Sequence, residues 1–261
     1  MILDSFRLDQ RVAIVTAASS GIGARTAIAL AEVGASVVVG ARRADALADV
    51  VEQIEAVGGQ ALPVAGSLAD RDGMATLVDR TVAEFGGIDI VVNNAGGSMP
   101  RAFPDETEQA FEQAFHWNVT TAFNLTQLAL PHLLERPGAS VVNMASVAGQ
   151  HASRGFAAYG TAKAAMIKLT KHLAADLAPK VRVNAVAPGA IRTPALEGVL
   201  NDDLEKAMAD GTPMKRIGEV DDIAAAVLYL ASPAAGYVTG ECLAVSGGIQ
   251  GSNLEMGIPD L

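Results

Sequence analysis

The chain has 261 residues, half of them hydrophobic and 18% charged, which is enough to bury a substantial core and argues against extensive disorder. A formal net charge of −10 at pH 7 argues against nucleic acid or an anionic membrane as a general partner. The single cysteine, Cys242, excludes a disulfide framework or a cysteine-based zinc site within one chain, and we expect no metal site. The first ten residues do not resemble a signal peptide and no apolar run reaches membrane-spanning length, so we expect a cytoplasmic protein.

Seven short apolar runs predict strands, and their continuous hydrophobicity is typical of strands buried on both faces of a parallel sheet. They lie at 12–16, 36–41, 61–65, 88–93, 140–145, 181–187 and 242–246. Longer segments between them predict helices at 23–33, 44–57, 71–85, 107–134, 159–177 and 221–231. This alternation predicts an α/β fold with a doubly wound, seven-stranded parallel sheet, organised as a single domain over 1–261. The long irregular stretch 188–220, with short helices around 196–209, predicts a substrate lid near 190–216.

The first predicted strand runs into a loop of small residues, TAASSGIG at 16–23. Gly21 and Gly23 permit a tight turn close to a phosphate, and the N-terminus of the following helix attracts an anion. Ala17 stands where such loops often have their first glycine, and its methyl group is tolerable at negative φ but costly at positive φ. We expect the methyl group to be tolerated. The alternative is an ordinary strand-to-helix loop that binds no ligand.

The end of the second strand bears on cofactor preference. An acidic residue there binds the ribose hydroxyls of NAD, whereas an arginine accommodates the additional phosphate of NADP. Here Ala41 is followed by Arg42 and Arg43, with no acid nearby. We therefore predict NADP(H) as the preferred cofactor, with Arg42 as a ligand of its phosphate and NAD(H) as the alternative. Two solvated charges at a helix start are the other interpretation.

Three polar residues form a candidate catalytic group. Ser146 follows a predicted strand, Tyr159 lies 13 residues further on, and Lys163 lies four residues after Tyr159. The i,i+4 spacing places the last two on one helix face, where the ammonium would lower the pKa of the phenol. Tyrosine then becomes usable as a general acid or base near neutral pH, and the serine hydroxyl would hold a substrate oxygen. The alternative is a packed tyrosine beside an exposed lysine.

With these features in order, the chain resembles the short-chain dehydrogenase/reductase family, which has a Rossmann fold, along nearly its whole length. The series also includes NNAG at 93–96, Asn118 in HWNVTTAF, and PGAIRTP at 188–194. The resemblance implies hydride transfer between NADP(H) and a secondary alcohol or ketone.

The resemblance also implies the roles of the catalytic residues. Tyr159 is the general acid/base, and Lys163 lowers its pKa and binds the nicotinamide ribose. Ser146 orients the substrate oxygen, and Asn118 takes part in a proton relay.

A set of cofactor-binding residues follows from the same resemblance. They are Ala18, Ser19, Ser20, Gly21, Ile22, Gly23, Arg42, Ser67, Leu68, Asn94, Ala95, Gly96, Tyr159, Lys163, Pro188, Gly189, Ile191 and Thr193. Ser67 stands where many relatives have aspartate, so we expect weaker recognition of the adenine. Asn93 is expected to brace strands rather than to touch a ligand.

The segments expected to line the substrate pocket, 97–99, 150–156 and 190–214, are mainly small and apolar. They favour a neutral, apolar substrate, and the sequence resembles the bacterial hydroxysteroid dehydrogenase branch of the family. Three cations, Arg101, Arg154 and Arg192, leave open an anionic substrate, as for a 3-oxoacyl-thioester (ACP/CoA) reductase. A non-catalytic cofactor-binding or sensor protein is the alternative from another class.

The sequence also suggests roles for His151 and Trp117 and an oligomeric state. His151 lies close to Ser146 in the chain and is a candidate substrate contact. Trp117 is expected to belong to the core or to a subunit contact. Relatives are commonly homotetramers built on the two long helices, so we expect a homotetramer or a homodimer.

Overall fold

The computed structural model describes residues 1–251. Seven strands form one sheet: β1 (Val12–Thr16), β2 (Ser36–Ala41), β3 (Gln60–Ala65), β4 (Ile90–Asn93), β5 (Ala139–Met144), β6 (Val181–Pro188) and β7 (Cys242–Val245). Their order is β3-β2-β1-β4-β5-β6-β7, and every neighbouring pair is parallel. The predicted seven-stranded, doubly wound sheet is therefore confirmed. The last part of the single domain predicted over 1–261, residues 252–261, lies outside the described residues.

Helices cover both faces of this sheet. They are α1 (Gly21–Glu32), α2 (Ala44–Ala56), α3 (Arg71–Phe85), α4 (Glu108–Phe115), α5 (Thr121–Leu134), α6 (Ala157–Leu177), α7 (Pro194–Glu197), α8 (Asp202–Asp210) and α9 (Val220–Ala231). Short 3₁₀ helices, which the sequence did not predict, lie at Ile2–Phe6, Phe103–Asp105, Val147–Gly149 and Pro233–Ala235. Within residues 1–251, none of the helices combines the length and hydrophobicity that crossing a bilayer requires.

The strands bury side chains on both faces because successive residues point in opposite directions. Ala13 and Val15 of β1 join the core cluster that contains buried residues of α1, α2 and α9. Ile14, between them, joins the cluster formed with α3, α5 and α6. This two-sided burial explains why the strand sequences are continuously apolar rather than alternating.

The chain changes direction across the sheet at β1. Because β1 pairs with β2 on one side and with β4 on the other, successive crossovers run outward in opposite directions from this point. Ligands of such sheets bind in the crevice at the carboxyl ends of the strands beside the switch. The loops after β1, β4, β5 and β6 therefore define the candidate site.

The predicted helix at 107–134 is helical throughout 108–134 but is not a uniform α-helix. The structure divides it into α4 and α5, separated by a π-helical turn at His116–Thr120. The sequence pattern does not reveal the turn because a wider backbone hydrogen bond leaves hydrophobic periodicity nearly unchanged. The bounds of the other predicted strands and helices agree with the structure to within two residues.

The predicted lid contains two short helices, α7 and α8, as the sequence indicated. Its base is fixed by a parallel bridge between Ile191 and Gly218. Arg192 forms ion pairs with Glu205 on α8 and with Glu219, whose Oε1 lies 3.3 Å from the Arg192 Nε. One arginine thus ties the lid helix to the start of α9.

Candidate active site

The loop between β1 and α1 borders a cavity of about 390 Å³ at the carboxyl ends of the strands. Ser20 precedes α1 without a side-chain capping bond, and the first turn carries no acidic residue, so the positive helix end faces the cavity uncompensated. Gly21 has a φ of +56°. A Cβ on Gly23 would lie 2.5 Å from both the Ala17 carbonyl oxygen and the Asn94 Nδ2. Gly21 therefore permits the turn, and Gly23 lets α1 pack directly against the backbone of the loop and against Asn94.

Ala17 adopts a φ of +51°. It therefore has the positive φ at which a methyl group is costly. A non-glycine residue in this region costs on the order of 1–2 kcal/mol. Asn94 braces the strained loop, since its Nδ2 donates to the carbonyl oxygens of Thr16 at 3.0 Å and Ala17 at 3.3 Å. The substitution is accommodated by these bonds and not by a change to negative φ.

Ser146 and Tyr159 meet at the end of β5. Ser146 begins the 3₁₀ turn after the strand, and its Oγ accepts a hydrogen bond from the Ala148 backbone N–H at 3.1 Å. Burial raises the pKa of Tyr159, and the hydrogen bond between the Ser146 hydroxyl and the phenol only opposes this rise. The lowered pKa expected from the sequence is therefore not present in this structure. The predicted proximity of these two side chains is thus present in the structure.

Two glycines let the Ser146 turn approach α6 so closely. A Cβ on Gly149 would lie 2.6 Å from the Lys163 carbonyl carbon, and one on Gly160 would lie 2.8 Å from the Ala148 carbonyl oxygen. Real Cβ atoms essentially never make such contacts. Close packing of the turn backbone against the α6 backbone brings Ser146 to Tyr159. The sequence analysis did not identify either glycine.

Lys163 lies one helical turn beyond Tyr159 and is 3% exposed. Its Nζ lies 5.6 Å from the centroid of the Tyr159 ring and donates to the Met144 carbonyl oxygen at 2.7 Å. Burial lowers the pKa of Lys163 to about 7, because desolvation penalises the ammonium. The charge of this lysine therefore changes within the neutral pH range.

Asn118 lies at the middle of the π-helical turn and is fully buried. Its amide donates to the carbonyl oxygens of Ala114 at 2.8 Å and Gly97 at 3.0 Å, and it accepts from the Gly97 N–H at 2.8 Å. Gly96 lies between Asn118 and Lys163, since a Cβ there would be 2.7 Å from the Asn118 Oδ1 and 2.9 Å from the Lys163 Nζ. The π-turn thus places Asn118 directly behind the lysine.

The loop after β6 forms the opposite wall of the cavity. Pro188, Gly189, Ile191 and Thr193 line it, together with Tyr159 and Lys163 across the cavity. The Thr193 Oγ1 accepts from the Leu196 N–H at 3.4 Å and so caps α7. Pro194 and Ala195, from the segment expected to line the substrate pocket, also lie on this wall. Sequence reasoning did not name Ala17, Met144 or Ala145 as lining residues. Met144 and Ala145 could have been found from their position at the end of a buried strand.

A second cavity, of about 120 Å³, adjoins the first across Ala17, which lines both. Its other lining residues are Ser19, Ala41, Arg42, Arg43, Leu68 and Trp117. Within residues 1–251, no carboxylate pairs with Arg42 or Arg43. The predicted phosphate ligand Arg42 is therefore exposed beside a cavity that continues the larger one.

Three predicted cofactor residues do not line either of these two cavities. Ala18 is fully buried in the core, and its N–H donates to the Gly40 carbonyl. Ala95 is also buried, and its N–H donates to the Thr16 Oγ1 at 3.0 Å. Ser67 is exposed, and its Oγ accepts a hydrogen bond from the Ala69 N–H at 3.2 Å within its own loop. These residues support the loops around the site.

The predicted substrate-pocket segments contribute unequally to the larger cavity. Segment 97–99 contributes Gly97, and segment 190–214 contributes Ile191, Thr193, Pro194 and Ala195. Segment 150–156, including His151, is not part of the lining. Arg101 is tied to that segment, since its N–H donates to the Gly155 carbonyl at 2.9 Å. Arg192 is engaged in the lid ion pairs. Asn93 braces strands as expected, because its Nδ2 donates to Asn143 and Thr126.

These features fit a nicotinamide dinucleotide. The uncapped N-terminus of α1, with two glycines that admit close approach, suits a pyrophosphate. The two adjoining cavities lie on either side of that loop, one beside Tyr159 and Lys163 and the other beside Arg42. The crevice thus provides separate places for the reactive and the adenosine ends of such a molecule.

Comparison with known proteins identifies the class. A family model described as "Enoyl-(Acyl carrier protein) reductase" matches residues 16–250. The chain belongs to the short-chain dehydrogenase/reductase family, and it is an oxidoreductase that uses a nicotinamide cofactor.

Individual relatives match nearly the whole chain. An uncharacterized oxidoreductase of Mycobacterium tuberculosis (strain CDC 1551 / Oshkosh) is 49% identical over 263 residues, which cover 100% of both chains. A 7alpha-hydroxysteroid dehydrogenase of Escherichia coli (strain K12) is 41% identical over 246 residues, 94% of this chain and 96% of its own. A solved structure of 7alpha-hydroxysteroid dehydrogenase with NADH and 7-oxo glycochenodeoxycholic acid has a TM-score of 0.91 at 40% identity, covering 95% of this chain and 98% of its own.

Proposed function

We propose that this protein is an NADP(H)-dependent dehydrogenase or reductase that interconverts a neutral, largely apolar secondary alcohol and its ketone. The observation that carries the proposal is the contact between Ser146 and Tyr159, with the Lys163 ammonium behind the tyrosine ring, at the wall of the large cavity. The relatives named as hydroxysteroid dehydrogenases support a cyclic, steroid-like substrate class.

Each catalytic side chain has a role that its surroundings explain. Tyr159 exchanges a proton with the substrate oxygen, and Ser146, whose Oγ already accepts from the Ala148 N–H, uses its own proton to hold the same oxygen. The nicotinamide, when bound, supplies or accepts the hydride. Lys163 stabilises negative charge on the phenol oxygen through space, and its low pKa lets it gain and lose a proton near neutral pH.

Asn118 connects this pair to the protein interior. Its amide fixes the Gly96–Gly97 backbone against Lys163, and one acceptor position on its Oδ1 remains after the Gly97 N–H is satisfied. We assign that position to the proton relay between Lys163 and solvent. The cofactor itself is held by the loop residues Ser19 to Gly23, the strand ends at Asn94 and Gly96, and the segment from Pro188 to Thr193.

The substitution Tyr159→Phe tests the mechanism. It should abolish NADP(H)-linked turnover over a panel of cyclic alcohols and ketones, while calorimetric binding of NADP⁺ persists because the cavity keeps its shape. Tyr237→Phe, at a fully exposed tyrosine, is the matched control and should leave turnover unchanged. Turnover that survives in the Tyr159 variant would refute the assigned role. Absence of turnover in the wild-type protein over the whole panel would favour a non-catalytic sensor.

The preference for NADP(H) depends on Arg42. Its exposed guanidinium beside the smaller cavity suits a dianionic phosphate, whereas the solved relative was complexed with NADH. Arg42→Ala should raise the KM for NADPH about tenfold or more and change the KM for NADH little. Arg80→Ala, at an exposed arginine on α3, is the control. Equal small effects on both cofactors would show that the preference was misread.

A 3-oxoacyl-thioester reductase is the second candidate. It is favoured by the description of the matching family model and by Arg101, which lies four residues after the cavity-lining Gly97. One observation argues against this candidate. Arg192 already forms ion pairs with Glu205 and Glu219, so it is not available to bind the anionic group of an acyl carrier. Comparing turnover of a neutral cyclic ketone with that of an acetoacetyl thioester separates the two candidates.

We also propose that the protein assembles through α4 and α5. Phe111, Phe115 and Phe123 are each about two-fifths exposed on these helices, which is unusual for large aromatic side chains. Light scattering coupled to size exclusion should give the mass of a dimer or tetramer, and Phe115→Glu should lower it. A monomeric mass for the wild-type protein would refute this assembly.

A further inference from the structure

We propose that the substrate extends beyond the larger cavity and that Arg101 and Glu106 bind an uncharged polar group, such as a hydroxyl, at its far end. This inference rests on the proposed function, since it names the substrate class of the same site. The far end would lie in a third cavity, of about 310 Å³, between the loop after β4 and helix α4. A cavity of this volume is within the range that small-molecule sites have.

Gly97 connects the third cavity with the larger one, because it lines both. It has a φ of +126°, and a Cβ built on it would meet no atom within 4 Å beyond its chain neighbours. Asn118 holds this backbone in place, since its amide donates to the Gly97 carbonyl at 3.0 Å and accepts from the Gly97 N–H at 2.8 Å. A rigid molecule with one end beside Tyr159 can thus extend across Gly97 without meeting a side chain at that position.

The face of α4 that borders the third cavity differs from the face proposed for assembly. Ala110, Gln113 and Ala114 line the cavity, and their i, i+3 and i+4 spacing places them together on one side of the helix. The exposed side chains of Phe111 and Phe115 are not part of this lining. Assembly through the phenylalanines therefore does not require the face that the ligand would contact.

Arg101 and Glu106 give the third cavity one free charge of each sign. Over the part of the chain that the structure describes, neither side chain forms an ion pair. The Arg101 Nη1 makes only a 3.5 Å contact with the Asp105 carbonyl oxygen. The Arg101 backbone N–H donates to the Gly155 carbonyl at 2.9 Å, which fixes the loop and leaves the guanidinium at the cavity. Glu106 is half-buried at the same cavity.

Two opposite charges at one cavity favour a neutral ligand group over an ion. A hydroxyl accepts from a guanidinium and donates to a carboxylate, so it satisfies both side chains at once. A carboxylate or a sulfate would be attracted by Arg101 but repelled by Glu106, and an ammonium would meet the reverse. Ser98 and Gln113 add uncharged hydrogen-bonding groups to the same lining. The cavity therefore fits an elongated hydroxyketone better than a free acid or an anionic acyl carrier.

Steady-state kinetics with rigid hydroxyketones test this assignment. The series runs from a hydroxydecalone to androsterone, with the hydroxyl at the end of the ring system remote from the ketone. Each compound is compared with its deoxy analogue and its sulfate ester, and cyclohexanone serves as a ketone short enough for the larger cavity alone. In the wild-type protein, at least one hydroxyketone should have a KM about tenfold below that of its deoxy analogue, and the sulfate ester should not share this gain.

Two substitutions that remove charge separate recognition from a structural role. Arg101→Gln and Glu106→Gln should each raise the KM for that hydroxyketone about fivefold, at unchanged kcat and unchanged KM for cyclohexanone. Glu106→Gln should also lower the KM for the sulfate ester, because the repelling charge is gone. Damage to the loop would not produce that opposite effect. Arg80→Gln and Glu108→Gln, at exposed residues that do not line the cavity, are the matched controls.

The outcomes distinguish this proposal from the proposed function. Turnover of cyclohexanone with no gain from the distal hydroxyl at any ring length would overturn the assignment of the third cavity. A wild-type preference for the sulfate esters would overturn it as well, since the cavity would then select an anion. Absence of turnover with every ketone, cyclohexanone included, would instead refute the proposed function itself.

Discussion

Replacing Lys163 with methionine should remove the rise in stability that the wild-type protein shows between about pH 7 and pH 10.5, while it abolishes turnover. The lysine is 3% exposed, and burial lowers its pKa from 10.5 to about 7. Since the unfolded chain binds the proton more tightly, burial of Lys163 costs no stability above pH 10.5; the cost grows as the pH falls and is complete below about 7. The difference between the two pKa values corresponds to a cost of about 5 kcal/mol at low pH.

Methionine removes this cost but also removes a hydrogen bond. The Lys163 Nζ donates to the Met144 carbonyl at 2.7 Å, and an unsatisfied buried acceptor costs about 1–3 kcal/mol. At pH 6.5 the variant should therefore be more stable than the wild type by about 2–4 kcal/mol. Above roughly pH 9 the order should reverse, because there the lost hydrogen bond outweighs the small remaining cost of burying the ammonium.

Urea unfolding of both proteins between pH 6.5 and 10 measures this difference. Lys168→Met, at an exposed lysine on the same helix, is the control and should shift stability equally at all pH values. Parallel curves for the wild type and Lys163→Met would refute the reasoning, because they would mean that Lys163 does not change its proton affinity on folding.

Three further changes test the geometry of the site. Gly149→Ala should displace Ser146 from Tyr159, lowering kcat far more than it changes cofactor affinity; equal kcat in a steady-state assay would contradict the close packing. Ala17→Gly should raise the free energy of unfolding by up to about 1 kcal/mol, because relief of the positive φ exceeds the added chain entropy, and a destabilised variant in urea would contradict this strain. Arg192→Gln should expose the lid to limited proteolysis, whereas Lys206→Gln, whose ion pair lies within α8, should not.

The sheet and the candidate catalytic group could be predicted from the sequence because each depends on short-range sequence patterns. The i,i+4 spacing of Tyr159 and Lys163 predicts a shared helix face, and Ser146 follows a strand, so parallel topology brings all three to one edge. Their actual contact depends on Gly149 and Gly160, which meet the backbone of distant residues. A single sequence gives no indication of such contacts, since each glycine is equally compatible with an ordinary turn or helix.

The π-helical turn illustrates why the smaller cavity was less predictable from the sequence. One wider turn in a helix of otherwise regular periodicity changes the direction of the side chains around it. At His116–Thr120 it buries Asn118 behind Lys163 and directs Trp117 toward Arg42. The resemblance to the family indicated Asn118, whereas Trp117 was expected to belong to the core or to a subunit contact; it packs against the core.

The backbone strain at Ala17 is tolerated because several hydrogen bonds hold the loop in place. A residue other than glycine costs on the order of 1–2 kcal/mol at this φ, and each hydrogen bond to the loop contributes about 1 kcal/mol. Asn94 supplies two donors to the carbonyls of Thr16 and Ala17, and the Thr16 Oγ1 accepts from the N–H groups of Asn94 and Ala95. These bonds are sufficient to offset the strain. They also hold the carbonyl of Ala17 against Gly23, so that the backbone bordering the cavity keeps its shape whether residue 17 is alanine or glycine.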